Sequence, residues 1–228
     1  MDELTKIKER YERRKNIPAE RYSIFNPATY LIEQEKERTL IKLIKKNKLL
    51  PIEDKKILEI GCGNGSNLLT FLKLGFTPYN IFANDLIEER IEHAKKILPS
   101  DVKLFSGNAF DLNLEEGSFD IVFQSMVFSS ILDKEFKNKL ASKMWRLVKP
   151  GGGILWYDFT YDNPLNPDVK GIKLKEVKGL FNQNNFYHKR LTLAPPIARA
   201  ITRIHPNLYH LLNGLYFLRT HLFIWIRK

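Results

Sequence analysis

From Lys56 to Phe159 short apolar runs alternate with amphipathic helical patterns, and few chain folds satisfy that rhythm. The runs are "KILEI" (56–60), "NIFAN" (80–84), "VKLFS" (102–106), "FDIVFQ" (119–124) and "GILWYDF" (153–159). Helical patterns lie between them, near 65–74, 87–98 and 134–148. Strands of this kind, each followed by a helix, predict right-handed βαβ units and an α/β, doubly wound sheet with both faces covered. Ahead of it, residues 2–15 and 28–48 read as helices. In the second, Leu31, Ile32, Leu40, Ile41 and Ile44 share one face, which predicts an N-terminal helical cap. "KPGGG" (149–153) stops a helix and starts a strand. Beyond it come a helix near 173–181, a strand near 186–194, a helical stretch over 195–218 and a last strand, "HLFIWIR". Pairing of the last two strands as an antiparallel edge gives seven strands, mostly parallel. With no repeat and no Gly/Ser/Pro-rich linker, the expectation is one domain over 1–228. Its parts are a cap (1–50), a core (51–160) and a final segment (161–228).

Composition narrows the class. Hydrophobic residues at 43% and charged residues at 28% exclude wholesale disorder. The single cysteine, Cys62, excludes an internal disulfide and a cysteine-built metal site, and predicts a reducing, cytoplasmic setting without a metal. "MDELTKIKERYERRKN" has no apolar core and does not read as a secretory signal. "LYHLLNGLYFLRTHLFIWIRK" is apolar, but His210, Arg219 and His221 interrupt it, so it reads as core and not as a membrane span. The net charge of +11 is uneven: +5 over residues 1–50, −1 over 51–150 and +7 over 151–228. Basic flanks on a neutral middle suit either solvated surface or an anionic acceptor.

The junction "ILEIGCGNGSNLLTFL" (57–72) carries the chemistry. Gly61, Gly63 and Gly65 remove side chains where a strand turns into a helix, which lets a ligand touch backbone. Dinucleotide loops place a third glycine where this chain has Ser66. Glu59, two residues before Gly61, would repel a pyrophosphate but suits a ligand carrying an ammonium and a sulfonium. These residues favour S-adenosylmethionine over NAD. Asp85, 24 residues after Gly61, can accept from both ribose hydroxyls. Leu86 is placed to pack on the adenine, and Asn108 with the backbone of Ala109 to read its edge. Gln124 closes the methyl-donor side. Cys62, within the loop, counts with Glu59 and the glycines among the cofactor-binding residues, and reads as a small packing residue and not a nucleophile.

In order and spacing these residues resemble the class I S-adenosylmethionine-dependent methyltransferases over about residues 50–160, from E-I-G-C-G-x-G to L-V-K-P-G-G. The resemblance implies a Rossmann-like sheet and methyl transfer from S-adenosylmethionine. Asn108 departs from the acid that many members carry. "NPxVKGI" and "RLTLAPPIARAI…LRTHLFIWIRK" look similar to bacterial methyltransferases associated with glycan assembly, which implies a sugar or glycan oxygen as acceptor, anionic or lipid-linked. Acceptor-side candidates are Ser125, Tyr157, Asp158, Tyr161, Asp162 and Asn163, with Asp158 as first choice for a catalytic base and His188 and His205 as outside choices. Tyr22, Tyr30 and Arg38 are candidates to meet the cofactor's carboxylate. Arg199 and Arg203, four apart on an acceptor-side lid, are candidates for a phosphate or sugar acid. "YDNPLNP" follows the fifth strand, unlike the N-P-P-Y loop of amino-methylating nucleic-acid enzymes, so nucleic acid is the minor partner. The alternatives are an RNA methyltransferase, a silent S-adenosylmethionine-binding regulator and, last, a nicotinamide dehydrogenase.

Overall fold

A computed structural model describes residues 2–14, 18–163, 166–183 and 185–228. Seven strands form one sheet: β1 (Ile57–Ile60), β2 (Ile81–Asp85), β3 (Lys103–Ser106), β4 (Phe119–Ser125), β5 (Val148–Phe159), β6 (Phe186–Leu193) and β7 (Arg219–Arg227). Their order is β3-β2-β1-β4-β5-β7-β6, so the sequence-based expectation of a doubly wound sheet with an antiparallel end holds. The first five strands run parallel, and β7 runs antiparallel between β5 and β6. Between β1 and β4 the winding reverses, which opens a crevice at the carboxyl ends of those two strands.

The period-2 alternation of the strands sorts side chains onto two buried faces. Ile57, Ala83, Phe123, Leu155 and Trp225 pack against α2 (Pro27–Lys46), α3 (Ser66–Lys73) and α4 (Glu88–Ile97). Leu58, Val122, Ile154, Trp156 and Ile224 pack against α1 (Glu3–Arg14), α5 (Lys134–Leu147) and α6 (Leu174–Phe181). Helix starts follow local chemistry. Asn26 Oδ1 accepts from Ala28 N at 3.0 Å with Pro27 behind it, and Asp133 Oδ1 accepts from Phe136 N at 2.7 Å. The expected stretch 195–218 divides into α7 (Pro195–Thr202) and α8 (Asn207–Asn213), because Pro206 cannot continue a helix. Glu35 ties these late elements to α2. Its oxygens accept from Thr192 N (3.0 Å), Tyr209 Oη (2.9 Å) and Asn213 Nδ2 (2.9 Å).

β5 begins at Val148, ahead of the glycine run, and so takes Gly151–Gly153 into the strand. A Cβ on Gly152 would lie 2.6 Å from the Asp120 carbonyl oxygen, and one on Gly153 would lie 2.5 Å from Trp225 Cζ2. The glycines thus admit β4 and the Trp225 indole, a role beyond stopping the preceding helix. Gly153→Ala is expected to cost about 1–3 kcal/mol through overpacking against Trp225, measured as a lower denaturation midpoint with an unchanged m-value.

Candidate functional site

The loop after β1 crosses the end of β2 and is tied to it by backbone. Gly61 N and Cys62 N both donate to the Asn84 carbonyl, at 2.7 and 2.9 Å. Gly63 N donates to Asp85 Oδ2 at 2.8 Å, and Asp85 Oδ1 accepts from Ile87 N at 2.9 Å. Gly61 and Gly63 hold φ of +72° and +55°, a left-handed conformation that L side chains rarely adopt. A Cβ on Gly61 would also strike Val127 Cγ2, whereas one on Gly63 would meet nothing within 4 Å. The backbone at Gly63 therefore borders free space. Gly65, at φ +87°, caps α3.

A cleft of about 540 Å³, counting its open mouth, runs past this loop. Gly61, Asp85, Leu86, Asn108 and Ala109 line it, five of the residues singled out from the sequence. Asn108 Oδ1 is engaged by Phe110 N at 3.1 Å, which leaves its amide nitrogen toward a ligand. The cleft's other wall was not legible in the sequence. Leu4, Ile7 and Tyr11 of α1 cover it. Arg10 Nη1 clamps that helix by donating to Ser130 O (3.0 Å) and Glu3 Oε1 (2.8 Å), and Arg90 lies 4.2 Å from the centre of the Tyr11 ring.

Several expected positions are placed elsewhere. Tyr22, Tyr30 and Arg38 are not among the residues lining the cleft, because α1 and not α2 covers it. Gln124 is fully buried and braces the loop beyond β4: its Oε1 accepts from Val127 N at 3.0 Å and its Nε2 donates to Tyr157 O at 3.4 Å. Cys62 packs in the core on the α3 side, where burial pushes its thiol pKa up. Asp158 has no exposed surface. Its oxygens accept from Ser129 N (3.1 Å) and Phe159 N (3.0 Å), and burial holds its pKa up at about 7. It braces the 3₁₀ turn Phe128–Ser130 from below. Tyr157 is buried too, with its hydroxyl on Thr192 Oγ1 at 2.7 Å and its ring stacked on His221 at 5.0 Å. Burial depresses the pKa of that histidine to about 3, so it stays neutral. Asp162 Oδ1 accepts from Gly171 N at 2.9 Å, and His205 is exposed.

A second cavity, of about 850 Å³ with its mouth, lies beside the end of β5 and against β6 and β7. Lys173, Lys175, His188 and Arg190 line it together with Tyr161 and Tyr216. Arg190 donates to Tyr161 Oη at 2.7 Å and lies 5.1 Å from the Tyr216 ring centre. Neither lysine pairs with a carboxylate among the described residues. Of the acceptor-side candidates, only Tyr161 and His188 line this cavity.

Residues 57–152 match the family model described as a methyltransferase domain. A Thermotoga maritima structure, an S-adenosylmethionine-dependent enzyme described as a possible histamine N-methyltransferase, superposes with a TM-score of 0.61 at 18% identity, over 97% of this chain and 99% of its own. Residues 57–152 thus carry a methyltransferase domain, in a fold shared with S-adenosylmethionine-dependent methyltransferases. A structure of similar fold from Archaeoglobus fulgidus, at TM-score 0.60 and 17% identity, covers 87% of this chain and 99% of its own. Among curated relatives, a tRNA N(3)-methylcytidine methyltransferase of Schizosaccharomyces pombe is 33% identical over 46% of this chain and 37% of its own. A norajmaline N-methyltransferase of Rauvolfia serpentina is 29% identical over 55% of this chain and 43% of its own. The chain thus spans under half the length of both curated relatives.

The residues present fit the family's cofactor. Glu59 is fully buried: its Oε1 accepts from Asn67 Nδ2 at 2.7 Å, while its Oε2 is left without a partner. Burial raises its pKa to about 8, so near neutrality the carboxyl holds its proton, which a cation placed beside it would displace. The unfolded chain ionises at this position near 4.5, the folded one near 8. Between those values the unfolded state has released a proton that the native state keeps, so Glu59 lowers stability as pH rises. Glu59→Gln removes that penalty. Chemical denaturation without ligand should show parent and variant nearly equal at pH 5, with the variant more stable at pH 8 by the order of a few kcal/mol. An equal difference at both pH values would refute the protonated state.

Proposed function

We propose that this chain transfers a methyl group from S-adenosylmethionine to a small anionic acceptor, a phosphorylated or acidic sugar, whose charged group sits in the second cavity. The observation that carries the reading is the grouping there of Lys173, Lys175, His188 and Arg190 with two tyrosines. Strands lie roughly 4.8 Å apart, so β7 and β6 stand about 12–17 Å across the sheet from the β1–β4 crevice. An acceptor anchored there by its anion would extend along the carboxyl ends of β5 and β4 to bring its hydroxyl to the methyl.

The bound cofactor supplies a methyl made electrophilic by its sulfonium. Asp85 and the glycine loop hold the nucleoside end, with Leu86 and Ala109 against the base. Glu59 and the loop it supports take the methionine end. Ile7 and Tyr11 keep water out from above, which matters because geometry, and not acid–base chemistry, is the protein's main contribution to such a transfer. Asp158 serves turnover by fixing Ser129, and with it the loop between the two cavities.

RNA is the second reading, favoured by relatives named for methylation of tRNA cytidine, the Schizosaccharomyces pombe and Gallus gallus proteins among them. A norajmaline N-methyltransferase matches at comparable identity, so these likenesses do not select an acceptor.

Labelled S-adenosylmethionine incubated with sugar phosphates and, separately, with tRNA decides between them by mass spectrometry. Lys173→Gln with Arg190→Gln is expected to raise the acceptor KM about 10- to 100-fold and leave the cofactor Kd unchanged, the size of lost charge-assisted hydrogen bonds. Asp85→Ala is expected to do the reverse, weakening the cofactor by about 1.5–3 kcal/mol in calorimetry. Label in tRNA alone would move the assignment to RNA.

A further inference from the structure

Two stretches far apart in the sequence hold much of the large apolar surface this protein leaves in solvent. One is the turn ahead of α2, with Tyr22, Ile24 and Phe25, the last 93% exposed. The other runs from the end of α7 to β7, with Ile204 at 79%, Leu211 at 69% and Phe217 at 68% exposed. The fold brings them together. Ala28 and Leu31 at the start of α2 pack with Ala198 of α7 and Tyr209 of α8. Arg199, whose pKa is lowered first by its own burial, also feels the charges of Arg21 and Arg203.

Core packing does not account for the outward residues. Leu211 lies two residues from both Tyr209 and Asn213, about 200° around the helix, and those two are the buried side of α8. The charges among these tips have one sign. No Asp or Glu follows Glu176 in the chain, and none occurs between Glu20 and Glu33. The face therefore presents Arg21, Arg199 and Arg203, with His205 and His210, among aliphatic and aromatic tips.

We propose that this face docks the protein onto an anionic lipid surface. Phe25, Ile204, Leu211 and Phe217 enter the boundary between headgroups and acyl chains, and the arginines meet lipid phosphates. Charge complementarity selects an anionic surface. The aliphatic tips select lipid over RNA, since Ile204 and Leu211 have no ring on which a base could stack. Binding is peripheral, because no helix among the described residues is long and apolar enough to cross a membrane. Tyr216, 58% exposed, belongs both to this face and to the second cavity, so a docked molecule would open that cavity toward the headgroups. This last point rests on the proposed acceptor site; the docking itself does not.

Flotation of the full chain with vesicles of phosphatidylcholine, with and without phosphatidylglycerol, tests the proposal. Binding to the mixed vesicles only, weakened by added salt, is expected. Phe25→Ser, Leu211→Ser and Phe217→Ser together should lower it at least about tenfold, and Arg199→Gln with Arg203→Gln should remove its salt dependence. Circular dichroism and cofactor titration of both variants should match the parent, since none of these residues lines the cofactor cleft. No flotation at low salt, or equal flotation of the serine variant, overturns docking. Retention by tRNA or by an acidic protein without retention by vesicles also overturns it and assigns the face to that partner. Cofactor titration and transfer to a water-soluble acceptor report on the catalytic reading independently of either result.

Discussion

The tie between the loop after β1 and the end of β2 is the constraint on which the catalytic half of this molecule rests. Three consecutive backbone amides, from Gly61 to Gly63, point at the last two residues of β2: two meet the Asn84 carbonyl and one meets Asp85 Oδ2. That geometry demands positive φ at Gly61 and Gly63, and it leaves the backbone bare beside the cleft. Asp85 thereby does two things at once. It holds the loop, and each of its oxygens, with one bond accepted, keeps capacity for a second at a residue that lines the cleft. Loss of its carboxylate would therefore disturb the shape of the site as well as one contact.

The two ends of the sheet differ in the lining they present. Around β1, β2 and β4 the lining is mostly apolar and uncharged apart from Asp85, which suits a nucleoside under an α1 lid held by Arg10. Around β5, β7 and β6 the lining is cationic, and the chain's last acid is Glu176, which is paired with Lys137. Between the halves stand Gln124 and Asp158, both fully buried and both committed to the loop beyond β4. Buried polar groups of this kind must be bonded, and here they are bonded to the backbone of Val127 and Ser129, in the loop that lines the first cavity. The charge imbalance between core and flank thus corresponds to two cavities of different lining on one scaffold.

Legibility followed the range of the interactions. The strands from β1 to β5 were readable because burial on both faces leaves continuous apolar runs, and the glycine loop because positive φ restricts residue type at a single position. Leu86, Asn108 and Ala109 were readable by their spacing after β2 and β3. The misplacements share a cause. An amphipathic charged pattern over residues 3–14 shows that the helix lies on something, but not that it lies across the cleft in place of Tyr22, Tyr30 or Arg38. A polar residue at a strand's end, such as Gln124 or Asp158, can face a ligand or fold back on a loop. Only the loop's path decides which.

The sequence by itself determined the doubly wound sheet, the bare loop and the acid that closes it, since each arises from periodicity or backbone chemistry within a few residues. The tertiary structure alone decided that α1 roofs the cleft and that Glu59 is buried with one oxygen unpartnered. It also decided that Tyr161, Lys173, Arg190 and Tyr216 meet in one cavity. These four residues come from segments up to 55 positions apart, joined by a strand that inserts antiparallel between β5 and β6. Nothing in their local sequence marks that meeting, because it is set by which strand pairs with which.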